Sequence, residues 1–235
     1  MKEQLIMDEQ SIREQICDIC YKTWQLGWVA ANDGNITVKI AEDVYLATPT
    51  QISKSYMTPD KIVKINGRGK LIEPNGNYRP SSEIKMHMRC YQERNDIGAV
   101  VHAHPPTATG FALAKVHMDN YSLVEPSLVL GSVPITPYGT PSTDEVPEAI
   151  APYLSEHDVL LLENHGALTV GADLITAYYR MESLELWAKT SLVARLLNGG
   201  VEPEIDRGKL DQLMDLRSNY YKFTGKHPGY KKYNN

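Results

Sequence analysis

The sequence predicts a single α/β domain, with helices packed on a central sheet. Three observations carry that prediction. Helix-period stripes and short apolar runs alternate along all 235 residues, with no linker or repeat dividing them. Several of the short runs are neighbours joined by tight turns, which points to a mixed or largely antiparallel sheet. No G-x-G-x-x-G follows a strand and no Walker-type loop occurs, which argues against the nucleotide-cofactor folds.

The elements follow in order. Ser11-Ile12-Arg13-Glu14 reads as a capping box, opening a helix that Gly27 stops. Ile12, Ile16, Ile19, Thr23 and Leu26 recur on one stripe of that helix, and Cys20 falls on the same stripe. After the polar turn Asn32-Asp33-Gly34-Asn35, residues 36–40 alternate like a half-buried strand, with 44–47 as partner. Residues 62–65 and 70–72 flank Asn66-Gly67-Arg68-Gly69 and read as a hairpin. Pro80-Ser81-Ser82 opens a helix to about Arg94, with Ile84, His87, Met88 and Tyr91 on one face. Residues 97–104 form a strand and 107–115 a short helix, and 133–136 form another strand. Ser142-Thr143-Asp144-Glu145 reads as a second capping box, starting a helix to about Leu154. Strands at 159–163 and 168–170 precede the longest helix, 173–197, which stops at Gly199-Gly200. A last helix covers 208–223, and the Gly/Lys/Tyr-rich tail 225–235 is expected to be loose.

Composition narrows the function classes. A formal net charge of −5 gives no electrostatic reason to expect nucleic acid or an anionic membrane. No apolar run approaches the roughly 20 residues of a membrane span, and Met1-Lys2-Glu3-Gln4 lacks a signal-peptide pattern. The three cysteines Cys17, Cys20 and Cys90 are too few for a disulfide framework and fit a reducing, cytoplasmic setting. Cys17-x-x-Cys20 lies inside a helical stripe with no second pair to close a zinc site, so both are read as packing residues.

The chemistry concentrates at Val101-His102-Ala103-His104-Pro105. On a strand, side chains two apart share a face, and their attachment points lie roughly 6–7 Å apart. Two imidazoles can close that gap on one metal at about 2.0–2.1 Å each. Alone, such a pair is more often a polar strand end. Two other segments strengthen the metal reading. His165, in Glu163-Asn164-His165-Gly166, ends the apolar run 159–162, and Glu83 stands at a helix start. Three nitrogens and one oxygen make a Zn²⁺-type set whose oxygen is the most easily displaced. Ser81 and Ser82, beside free backbone N–H groups, suit a phosphate or carboxylate, although plain N-capping explains them too. His87 is read as packing in preference to a partner of Glu83. His117 and His157 have no matching context, and Tyr178 and Tyr179 read as packing.

Taken in order and spacing, these segments resemble the class II aldolase/adducin-head family, most of all its L-fuculose-1-phosphate aldolase branch. The matching pieces are Asp33-Gly34-Asn35-Ile36, Thr48-Pro49-Thr50, Ser81-Ser82-Glu83, His102-Ala103-His104-Pro105, residues 133–138 and Asn164-His165-Gly166, spread from Ser11 to Tyr220. The resemblance implies a three-layer α/β/α domain around a mostly antiparallel sheet. It also implies C4 homotetramers with the site at a subunit interface, and reversible cleavage of a ketose 1-phosphate into dihydroxyacetone phosphate and an aldehyde. It implies Zn²⁺, with Mn²⁺ or Co²⁺ as substitutes, on His102, His104, His165 and resting-state Glu83. Glu83 matches the acid/base. Gly34, Asn35, Thr50, Gln51, Ser81 and Ser82 match the phosphate pocket. Tyr220 matches a tyrosine serving a neighbour's site, with Tyr221 as the alternative.

The departures are specific. Gln51 stands where the aldolases carry glycine after Thr-Pro-Thr, and Leu123, with Tyr121 nearby, falls where they carry a substrate tyrosine. Related pentulose-5-phosphate 4-epimerases show Ser-Ser-Asp at the Ser81-Ser82-Glu83 position, oxo-acid phosphate decarboxylases Thr-Lys-Glu, and methylthioribulose-phosphate dehydratases Ala-Glu-Thr. The epimerase is therefore the alternative function. Adducin-like members keep the fold as interaction modules, and the three histidines and the glutamate speak against that here.

Overall fold

A computed structural model describes residues 8–233. The Met1–Gln4 expectation and the last two residues of the tail lie outside them. Among the described residues, seven strands form one sheet in the order β3-β2-β1-β4-β7-β6-β5. These strands are β1 (Asn35–Ala41), β2 (Val44–Ala47), β3 (Val63–Ile65), β4 (Ala99–Ala103), β5 (Ile135–Thr136), β6 (Val159–Leu162) and β7 (Gly166–Gly171). Every pair is antiparallel except β5 with β6. The helices are α1 (Glu9–Gln25), α2 (Ile84–Glu93), α3 (Pro106–Leu113), α4 (Val124–Val129), α5 (Glu145–Leu154), α6 (Leu174–Leu197) and α7 (Arg207–Asp215).

The alternation of β4 shows how the layers are assigned. Ala99, Val101 and Ala103 face a core built with Ile16 and Ile19 of α1, Phe111 of α3 and Trp187 of α6. Val100 faces the opposite core, with Ile84 and Met88 of α2 and Ile150 of α5. The sheet is thus covered on both faces, giving the three-layer α/β/α arrangement. This also explains why β1 is buried on both sides along Asn35–Val38, where its alternation suggested a half-exposed strand. Among the described residues no helix is long and apolar enough to cross a membrane.

Several boundaries differ from the sequence expectation. α1 starts at Glu9, because the Asp8 carboxylate accepts from the Ser11 amide and displaces Ser11 as cap. The second arm of the 62–72 hairpin shrinks to one bridge, Ile65 with Leu71. α5 starts at Glu145, with Thr143 Oγ1 accepting from the Glu145 amide, so Ser142 is not the cap. α4 is a helix that the sequence does not announce; Pro126 interrupts its pattern. The last helix ends at Asp215 and widens into a π-turn over Leu216–Tyr221. Cys17 and Cys20 pack in α1 as expected, and burial pushes their thiols up to about 11 and about 12.

The described part of the tail, residues 225–233, is not loose. The Lys226 amide donates to Asp158, the Ser132 amide to the Gly229 carbonyl, and the Tyr233 amide to Asp119. Tyr233 stacks near His117, and its hydroxyl meets His157 Nε2 at 2.7 Å. Composition signals flexibility, but these partners come from three distant segments, 117–119, 132 and 157–158, that only folding assembles.

Candidate metal centre and active site

The site forms where four chain segments meet at one end of β4. Asn35 and Leu168 flank His102 in the sheet register, so its side chain takes the α2 face next to Val100. His104 lies just past the strand, its amide donating to the Trp28 carbonyl at 2.8 Å. His165 sits in the three-residue loop between β6 and β7, where Asn164 takes a left-handed backbone (φ 56°). Gly166 is required after it, since a Cβ there would lie 2.5 Å from the His104 ring and 2.7 Å from the Ala103 carbonyl. Glu83 occupies the cap position of α2, which begins one residue later than the first-turn placement expected from Ser81-Ser82. Its side chain does not cap the helix but reaches the histidines.

The four side chains converge. One ligand atom from each of His102, His104 and His165 lies within 4.8 Å of the others. Nε2 of His102 and Nε2 of His104 are 3.1 Å apart. Glu83 Oε2 is 3.2 Å from His102 Nε2 and 3.5 Å from His165 Nε2. The tautomer of His102 follows from its other nitrogen. Nδ1 lies 2.9 Å from the Ala167 carbonyl, which can only accept, so Nδ1 carries the proton. In neutral His102 the Nε2 lone pair therefore faces Glu83 and His104. Lone pairs aimed at a carboxylate repel unless a proton or cation stands among them. Each ring lies against the next at 4.7–5.2 Å between centroids. The donor set and its convergence fit a divalent metal ion.

Electrostatics agree. Burial alone would raise the Glu83 carboxyl, but hydrogen bonds with His102 and His165 outweigh it and hold Glu83 well below the usual carboxylate range. Burial, and then the neighbouring His102 and His165, push His104 down to about 3, leaving it neutral and able to ligate. Asp33 Oδ2 stands 3.7 Å from His104 Nδ1, too long for a hydrogen bond but close enough to favour an outward-facing N–H. His102 is buried while His104 keeps 27 % of its side chain exposed, so the cluster opens to solvent on the His104 side.

The residues expected to hold phosphate adjoin this cluster. Gly34 (φ 71°) brings its backbone against His102; a Cβ there would meet the His102 carbonyl at 3.0 Å and Val29 at 2.6 Å. The Thr50 amide donates to the Arg79 carbonyl at 2.8 Å, and Pro49 bridges Pro80, which ties the Thr50–Gln51 loop beside Ser81. Gln51 keeps a left-handed backbone (φ 62°), the conformation glycine would take, so the substitution changes the side chain and not the backbone path. Ser81 Oγ accepts from the Glu83 amide at 3.3 Å, and Ser82 Oγ pairs with Ser142 Oγ at 2.7 Å. Ser81 thus keeps a capping-type bond two residues on, and Ser82 does not.

Tyr220 and Leu123 are not among the side chains that converge here. Tyr220 is 73 % exposed on the 216–221 turn, edge-on to Tyr221, with no hydrogen bond to the cluster among the described residues. Leu123 packs against the core, and Tyr121 is buried with its hydroxyl donating to the Lys231 carbonyl. Sequence reasoning missed Asp33 and the role of His87. His87 is fully buried, as a packing residue would be, but its ring is hydrogen-bonded to Asn35 and Thr37. The i, i+4 spacing of Glu83, His87 and Tyr91 on α2 is the signal that could have found it.

Comparison with known proteins agrees with this geometry. The family model of the Class II Aldolase and Adducin N-terminal domain matches residues 14–192. The L-fuculose phosphate aldolase of Methanocaldococcus jannaschii is 30 % identical over 185 residues, covering 79 % of this chain and 98 % of that protein. The 3-oxo-tetronate 4-phosphate decarboxylase of Escherichia coli K12 is 28 % identical, covering 77 % of this chain and 86 % of that protein. Among solved structures, an L-fuculose 1-phosphate aldolase superposes with a TM-score of 0.80 at 26 % identity, covering 93 % of this chain and all of that one.

Proposed function

The chain belongs to the class II aldolase and adducin N-terminal domain family, and on that premise we propose that it is a zinc-dependent ketose-1-phosphate aldolase. Its substrate is L-fuculose 1-phosphate or a related 5-deoxyketose 1-phosphate, split reversibly into dihydroxyacetone phosphate and an aldehyde such as lactaldehyde. The observation that carries the reading is the convergence of three imidazole nitrogens and the Glu83 carboxylate next to the Ser81/Ser82 hydroxyls.

His102, His104, His165 and, at rest, Glu83 would hold the metal. When bound, it polarises the adjacent oxygens of a hydroxy-ketone and stabilises the charge left when the neighbouring carbon–carbon bond breaks. The chain supplies the rest. Gly34, Asn35, Thr50, Gln51, Ser81 and Ser82 anchor the phosphate, fixing which carbons lie beside the histidines. Glu83, displaced by substrate, moves the proton: it accepts the hydroxyl proton as the aldehyde carbonyl forms, and returns it to the carbon that received the bond's electron pair. At rest, its hydrogen bonds with His102 and His165 outweigh burial and keep it ionised; displacement by substrate removes those bonds and restores its basicity. Tyr220, exposed on its own subunit, is assigned to a neighbouring subunit's site in a homotetramer, and Tyr220→Phe should lower turnover without altering metal content.

A decarboxylase among the relatives at similar identity supports a second reading, loss of CO2 from an oxo-acid phosphate. Ser81-Ser82-Glu83 in place of Thr-Lys-Glu favours the aldolase. The test is a substrate panel on zinc-loaded protein. Triose phosphate from L-fuculose 1-phosphate, or from another 5-deoxyketose 1-phosphate, is expected. CO2 from 3-oxo-tetronate 4-phosphate without triose phosphate would replace the proposal with the decarboxylase. Xylulose 5-phosphate from ribulose 5-phosphate would replace it with the 4-epimerase.

A further inference from the structure

Behind the phosphate pocket lies a buried chain of polar side chains that the chemistry above does not use. Tyr91, Thr37 and His87 are all buried, and His87 is completely so. His87 Nε2 lies 2.5 Å from Asn35 Oδ1, and His87 Nδ1 lies 2.9 Å from Thr37 Oγ1. Tyr91 Oη lies 2.9 Å from Thr37 Oγ1 and 3.1 Å from the Thr37 carbonyl.

Asn35 turns its Oδ1 to His87, and that contact assigns the other protons of the chain. An amide oxygen only accepts, so His87 donates from Nε2. Burial pushes His87 down to about 3, so the ring is neutral and Nδ1 holds a lone pair. The Thr37 hydroxyl must then donate to Nδ1, and the Tyr91 hydroxyl shares its one proton between Thr37 Oγ1 and the Thr37 carbonyl. The polarity runs Tyr91, Thr37, His87, Asn35, and every proton is committed. The consequence falls on Asn35. Its carbonyl oxygen is turned inward and held, while Nδ2, with its two donors, has no protein partner among the described residues. Asn35 is 4 % exposed, follows Gly34 and lies in register with His102. The residue is buried but its Nδ2 is not among the fully buried, unpartnered atoms, so this end of the amide reaches open space, where a pair of donors suits an anion.

We propose that His87 is a positioning residue for phosphate recognition: its Nε2–H, with Thr37 at Nδ1, holds the Asn35 oxygen inward and so keeps the NH2 toward the pocket, so that this end, and not the oxygen, meets the anion. Left free to rotate, the amide could equally present its oxygen, which repels phosphate. The inference rests on the phosphate-pocket part of the reading above and not on the identity of the sugar.

Calorimetric titration of the zinc-loaded full chain with inorganic phosphate tests it. His87→Leu should weaken phosphate on the order of tenfold, the size of a lost hydrogen bond to a charged group. His87→Gln, which can donate to Asn35 and accept from Thr37, should recover most of that loss. Thr37→Val frees the opposite tautomer and should weaken phosphate in the same direction, which keeps the test open if the leucine variant does not fold. Zinc content should match the parent in all three. On any ketose 1-phosphate the parent turns over, the loss should fall on KM more than on kcat. Parent-like phosphate affinity in both His87→Leu and Thr37→Val, a glutamine variant no better than leucine, or a parent that binds no phosphate would each overturn the inference. A parent that binds phosphate but releases no triose phosphate from any ketose 1-phosphate sinks the aldolase reading alone, and the affinities still decide the role of His87.

Discussion

The two ends of β4 and β6 hold two buried polar clusters that obey opposite rules. At the start of these strands Asp158 stands between two arginines, 2.6 Å from Arg94 and 2.6 Å from Arg180. Arg94 also donates to Asp96 and to the His157 carbonyl, and Arg180 to the Val170 carbonyl. Every charge there meets its opposite within the chain. At the far end His102, His104, His165 and Glu83 offer lone pairs to one another, and among the described residues no arginine or lysine pairs with Glu83; the buried Lys54 ammonium near His104 is bonded to the Asn32 and Ile52 carbonyls instead. His165 Nδ1 is buried there without a hydrogen-bond partner. A cluster satisfied from within serves the fold, whereas one that lacks a cation is built for something that arrives. If that is right, substitutions at the two ends should separate activity from stability.

The largest effect belongs to the far end. Glu83→Gln should cut turnover by about 10²–10⁴-fold, the usual contribution of a general acid/base, while the melting temperature stays close to the parent's. Turnover that survives would reduce Glu83 to a charge at a helix start. His165→Ala belongs to the same end and should lower bound zinc, read by elemental analysis after dialysis. Full occupancy would remove it from the ligand set. The start of the strands should behave in the opposite way. Asp158→Ala leaves Arg94 and Arg180 buried without their shared partner and should cost about 3–5 kcal/mol in denaturant unfolding. The fraction that remains folded should keep parent-like turnover, because the change lies at the other end of the sheet.

The contrast also explains what could be read from the sequence. His102-x-His104, Glu83 and His165 were legible because a strand's period of two and a helix start put chemistry at fixed offsets. The covered sheet was legible from its interleaved apolar runs, though the two-residue β5 and its parallel pairing were not, since so short a strand has no period. The Arg94–Asp158–Arg180 cluster left no trace, because its members lie 64 and 22 positions apart and charged residues are normally read as surface. Gln51 was legible as a departure, but its left-handed backbone was not, because side-chain identity does not report φ outside glycine and asparagine. The tail was misread for the same reason as the arginines: its partners are distant in sequence.

The smallest effect tests whether that tail belongs to the self-satisfied end. His227 Nε2 donates to the Ser127 carbonyl at 2.9 Å, and Nδ1 accepts from the Gly229 amide at 3.2 Å, so the neutral ring uses both nitrogens. Burial, despite the Ser127 hydrogen bond, brings His227 down to about 4 from an ordinary value near 6.5. A histidine with a lowered folded pKa binds its proton more readily when unfolded. Its contribution is therefore full above pH 6.5 and is lost as the pH falls toward 4, with a limiting slope of about 1.4 kcal/mol per pH unit. Protonation would also set a second N–H against the Gly229 amide and release the tail. Unfolding free energies measured from pH 7 down to pH 4.5 should thus fall less steeply in His227→Asn than in the parent. The difference should persist in metal-free protein, since the ring stands apart from the histidine cluster. Parallel pH curves for the two proteins would show that the tail contributes nothing to the acid sensitivity and return the 225–233 segment to the loosely held role its composition suggests.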